Sequence, residues 1–169
     1  LSLDATTQYL TEVERNPIFN VPGDSGETAD SGADIEARVR SYLEVNCAHC
    51  HNNRGLAQNT GFYLDVFRDV NDTYGICKGP TASGTEGRGG REYDIVPGDA
   101  AASILPYRIG PEADTLAARM PPLARSVVDT EAFNLVTRWI NEVVDDSYAN
   151  ADACGGGDSG GGLPGLPFP

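Results

Sequence analysis

The chain has 169 residues, with 25 acidic side chains against 12 basic ones, a net charge of −13, and no apolar run long enough to span a bilayer. Membrane insertion is excluded on that ground. Nucleic acid is an unsuitable partner, because phosphate-backbone binding depends on Lys and Arg displacing counterions. The cationic side consists of eleven Arg and the single Lys78, which leaves no polybasic surface for anionic lipid and points to basic faces on any charged partner. Length and apolar content suit one domain, and 20 Gly with 11 Pro imply long irregular connections.

In chain order, residues 1–33 carry Asn16-Pro17 and Val21-Pro22-Gly23 without sustained apolar periodicity and are expected to form an extended arm. Asp34 is placed to N-cap a first helix bearing Ile35, Val39, Tyr42 and Leu43 and ending near Asn46. Phe62–Phe67 and Glu92–Val96 are β-like runs that could pair as a small hairpin, with the Gly-rich stretch from Gly79 to Gly90 between them as a mobile loop. Asp99 can cap a short helix through Ala100 to Leu105, bent or ended by Pro106. Asp129 then precedes the clearest amphipathic stripe, Ala132, Val136, Trp139, Ile140 and Val143. The pattern predicts a mostly α domain over 34–146, followed at 147–169 by a Gly/Pro-rich tail that ends in apolar Leu163–Pro169.

Cys47-Ala48-His49-Cys50-His51 directly follows the first helix, and C-x-x-C-H is the covalent attachment pattern of a c-type haem. Two thiols at this spacing reach two vinyl groups on one porphyrin edge, and His51 then falls beneath the iron as proximal ligand. A thioredoxin-like dithiol would sit where a strand meets a helix, and a zinc ribbon would need a second close cysteine pair, which Cys77 and Cys154 do not form. His49, between the two thiols, is read as a surface or haem-edge residue. Both histidines lie inside the motif, so the only thioether, Met120 in Arg119-Met120-Pro121-Pro122-Leu123, is the candidate sixth ligand; the competing reading of a lone Met is core filler. A thioether there favours ferrous iron and closes the open coordination site, which suits an electron carrier and disfavours an enzyme. Arg54, Arg108 and Arg119 are candidate partners for the haem propionates, since partly buried carboxylates need charge-assisted donors. Gly55 and Gly61 suit tight turns, and Asn71-Asp72-Thr73 fits a glycosylation sequon that is common by chance.

These residues resemble the class I monohaem cytochrome c superfamily. More narrowly, Tyr42–Asn52 (YLEVNCAHCHN), Pro97–Arg108 (PGDAAASILPYR), Met120–Leu123 (MPPL) and Trp139-Ile140 look like motifs of secreted bacterial cytochrome c domains. The resemblance spans about 34–146, with a long insertion between the haem motif and Pro97. It implies a helical fold around one covalent haem c, iron held by His51 and Met120, first and last helices packed near one haem edge, and single-electron transfer. It also implies export to the periplasm or beyond, with a signal peptide removed ahead of Leu1. In such a compartment the remaining Cys77 and Cys154 most simply form a disulfide. Expected partners are a redox donor and acceptor with basic docking faces. Two alternatives stay open: a subunit of an extracellular cytochrome homopolymer joined through the N- and C-terminal arms, and a redox subunit serving a partner dehydrogenase.

Overall fold

The computed structural model describes residues 32–123, 125–144 and Cys154. The expected arms, apart from Gly32, Ala33 and Cys154, therefore lie outside the described residues. The first helix, α1, covers Gly32–Leu43 and begins three residues earlier than expected, so Asp34 lies inside its first turn. Ile35, Val39 and Leu43, spaced four apart on one face, are all buried. The helix does not stop near Asn46. It runs directly into a π-helical turn, Glu44–Ala48, which carries the chain into the C-x-x-C-H motif.

The last helix forms as its stripe predicts. It runs over Thr130–Arg138 as α4, taking that number from the two short helices that precede it, Gly84–Arg88 (α2) and Ile104–Ile109 (α3). Asp129 caps it, its carboxylate accepting from the Ala132 amide at 3.0 Å. A π-helical extension, Trp139–Val144, continues it, and Ala132, Val136, Trp139, Ile140 and Val143 are buried. α1 packs on α4 and on this extension, which joins Ile35, Val39 and Leu43 to Val136, Trp139 and Ile140 in one core. Each such fully buried side chain contributes roughly 1.5–3 kcal/mol. Tyr74 completes the core edge-on to Trp139, ring centroids 6.3 Å apart.

The middle of the chain departs from the sequence expectations. Phe62–Phe67 and Glu92–Val96 do not pair as a hairpin. The Tyr63 amide bonds to the Thr73 carbonyl and the Leu64 amide to the His51 carbonyl, both at 2.9 Å, so the first run serves its own neighbourhood. The second run meets Gly75–Cys77 instead, through an isolated parallel bridge between Ile76 and Ile95, and a further bridge joins Tyr93 to Ser103. Gly79–Gly90 is not a free loop, since it contains α2. Its Thr81 hydroxyl donates to the Asn59 and Thr60 carbonyls, and the Tyr107 hydroxyl donates to the Glu86 carbonyl. Asp99 caps only a turn, accepting from the Ala102 amide at 2.9 Å, and the helix follows it as α3. Pro106 sits inside α3 without breaking it, because a first-turn residue has no intrahelical acceptor for the missing N–H.

Among the described residues the protein is mostly helical, with almost no strand, and no helix is long and apolar enough to cross a membrane. Cys77 and Cys154 lie at disulfide-bonding distance with Cα atoms 4.6 Å apart, joining positions 77 residues apart.

Two outcomes check this arrangement. Peptide mapping without reductant should recover a cross-linked Cys77–Cys154 peptide. Replacing both residues with Ser should cost roughly 4 kcal/mol of stability in the chain-entropy model, whereas free thiol at both positions would show the tail is not fastened there. Asp129→Ala should lower stability by about 1 kcal/mol in denaturant titration, by removing the α4 cap.

Candidate functional site

A cleft lined mostly by apolar side chains opens beside the π-helical turn. Cys47, Cys50, His51 and Met120 all line it, as do the apolar side chains Phe62, Leu64, Ile104, Leu105 and Ile109. Four separate segments of the chain thus contribute to one cleft.

The motif is held by its own backbone. The Cys50 and His51 amides both donate to the Cys47 carbonyl, at 3.0 and 2.8 Å. The Asn52 side-chain amide donates to the Ala48 carbonyl at 2.6 Å, and the Ala57 amide donates to the Cys50 carbonyl at 3.0 Å. The Cys50 carbonyl lies so close to Gly55 that a Cβ there would collide with it, so this glycine is required by close approach. Gly61 is needed for another reason: its φ of 62° lies in the left-handed region.

His51 is positioned with one ring nitrogen engaged. Its Nδ1 lies 3.1 Å from the Phe62 carbonyl, and its ring stands edge-on to the Phe62 ring with centroids 5.3 Å apart. A carbonyl can only accept, so Nδ1 carries the proton and Nε2 keeps its lone pair. Burial pushes the His51 pKa below its ordinary value, against the opposing effect of the Phe62 hydrogen bond, and favours the neutral imidazole. Cys47 and Cys50 are both free of disulfides. Burial, with the neighbouring Cys50 adding to it, raises the Cys47 thiol to about 12. His49 is exposed and lines the cleft mouth.

Met120 is presented by a loop hung on arginines that bond to main chain. The Met120 amide donates to the Arg108 carbonyl at 2.9 Å. Arg108 donates from Nε to the Ala118 carbonyl and from Nη2 to that of Ala117. Arg119 reaches back from Nε to Ala113 and from Nη2 to Asp114. Arg125 spans the end of α3, with Nη1 donating to the Arg108 and Met120 carbonyls and Nη2 to those of Ile109 and Gly110. These donors satisfy carbonyls that the helix end leaves without an intrahelical partner.

The three arginines expected at the propionates therefore separate. Arg108 lines the cleft. Arg119 does not, and is committed to the loop carbonyls. Arg54 is exposed and away from the cleft wall. Lys78 and Asp94, which the sequence did not single out, do line the cleft, joined by an ion pair at 3.3 Å. Asn71 uses its side chain locally, accepting from the Thr73 amide and hydroxyl at 2.9 and 2.8 Å.

Comparison with known proteins finds no matching family model, no matching curated sequence and no matching solved structure.

Proposed function

We propose that the cleft takes one covalently attached c-type haem and that the protein transfers single electrons, as the resemblance to class I cytochromes c implies. The observation that carries this reading is the meeting of two free thiols, a neutral imidazole with Nε2 available and a thioether in one apolar cleft. The donor set fits the group: soft sulfur and imidazole ligands suit haem iron, and thiols two residues apart suit its vinyl edge.

The haem supplies the one-electron iron couple, and the chain's residues set its environment. Cys47 and Cys50 tether the porphyrin. His51 would hold the iron through Nε2, its ring oriented by the Phe62 carbonyl, the kind of outer partner that sets ligand orientation and basicity. Met120 would hold the iron through its thioether sulfur and so limit access by exogenous ligands. Phe62, Leu64, Leu105 and Ile109 exclude water and lower the local dielectric, which favours the less charged ferrous state. The acidic surface selects donors and acceptors with basic faces, and covalent haem attachment is consistent with an exported protein.

Optical spectra of oxidised and reduced protein test the reading, which is sunk by a purified, maturation-competent product lacking low-spin c-type bands. Met120→Ala should abolish the sulfur-to-iron charge-transfer band of the ferric form, lower the potential and admit added imidazole; an unchanged spectrum would remove Met120 from the iron. Arg125→Ala should leave the band present but make it disappear at lower temperature than in the parent protein, with faster imidazole entry, because the Met120 loop loses four carbonyl contacts.

A further inference from the structure

The Lys78–Asp94 pair is an ion pair in the wall of a mostly apolar cleft that Arg108 also lines, and the proposed electron transfer does not require it. Asp94 is 6 % exposed, and its backbone is fastened on both sides: its amide donates to the Lys78 carbonyl at 2.8 Å, and its carbonyl accepts from the Leu105 amide at 3.0 Å. The main chain at Asp94 is therefore fixed, and the residue is buried where it stands. Among the described residues its one hydrogen-bond donor is Lys78 Nζ at 3.3 Å, and that ammonium also donates to the Gly79 carbonyl at 3.2 Å. Arg108 from α3 and Arg88 from α2 act on it at longer range, and His49 and His51 line the same cleft.

A buried carboxylate with one long, shared ion pair is only partly compensated for its desolvation. In agreement, burial raises the Asp94 pKa above the usual carboxylate range, with Lys78 and Arg108 opposing. An electron arriving in the same cleft adds a negative charge that acts on Asp94 through a low-dielectric wall.

We propose that Asp94 is a proton-binding site coupled to electron uptake, so that this protein takes up a proton as it is reduced. The inference rests on the haem reading above. The balance is one electron from the external donor, which converts ferric to ferrous iron, and one proton from solvent, which converts the Asp94 carboxylate to the acid with an O–H bond formed. Reoxidation releases both. No other reactant is needed. Lys78 is the positioning residue whose ammonium opposes the rise in the proton affinity of Asp94.

The sign follows from linkage. If reduction tightens proton binding at Asp94, raising the pH must lower the potential by the same coupling, over the window between the oxidised-state and reduced-state proton affinities. The potential should be flat above and below that window, which lies above the ordinary carboxylate range. Tenfold tighter proton binding in the reduced protein appears as a total fall of about 59 mV for a one-electron couple.

The experiment is a spectroelectrochemical titration of the intact, haem-loaded protein from acid to alkaline pH. The parent protein should show the fall, Asp94→Asn should remove it, and Lys78→Met should move the window to higher pH. A redox difference infrared spectrum of the parent protein should show a carboxylic acid C=O band in the reduced state, which keeps the idea testable if Asp94→Asn folds poorly. A potential that is flat with pH in the parent, an undiminished slope in Asp94→Asn, or a difference spectrum without the acid band overturns the proposal. An undiminished slope would assign the proton to a haem propionate or His49 and leave the haem reading intact. A product without c-type absorption bands would remove both.

Discussion

Packing of α1 against α4 and its π-helical extension is the constraint on which the cleft depends. Val39 and Leu43 are buried with Val136, Trp139 and Ile140, and the chain leaves that contact directly into Cys47 without an intervening loop. The position of the motif is therefore inherited from a hydrophobic contact between two ends of the described chain. A shift of one helix along the other would carry both cysteines and His51 with it. Tyr74 links this core to the middle of the chain through its ring contact with Trp139.

The cleft is otherwise built from main-chain hydrogen bonds made by irregular segments. Few of its walls are regular elements, and yet their amides and carbonyls are paired: Leu64 with His51, Cys77 with Ile95, Asp94 with Lys78, Ile104 with Tyr93. This accounts for a chain with so many Gly and Pro residues forming a defined site. The turns are not spacers between elements but the elements that hold the functional groups.

The parts of this architecture that were legible in the sequence are those encoded locally. A helical stripe after Asp129 needs only its own periodicity, and the spacing of Cys47, Cys50 and His51 is contained in five residues. Met120 was reachable because it is the sole thioether. Lys78, Asp94 and Arg125 were not, because what distinguishes them is which distant segments they meet. Arg125 binds carbonyls up to 17 positions away, and nothing in its neighbourhood marks it. Phe62–Phe67 was misread for a related reason. Phe62 and Leu64 do bury on one side, as in a strand, but the groups that satisfy the backbone lie in the C-x-x-C-H motif and around Thr73 instead of in a neighbouring strand.

The loop that presents Met120 is gripped by Arg108, Arg119 and Arg125 through the carbonyls of Ala113, Asp114, Ala117 and Ala118 and of the α3 terminus, never through the side chains of those residues. A guanidinium that reads peptide oxygens is indifferent to what the residue carries. The exposed loop positions are thus freed to vary, and surface chemistry there could be rewritten for a new docking partner while the sulfur stays where it is. The scaffold separates the fixed position of Met120 from the side chains its loop exposes.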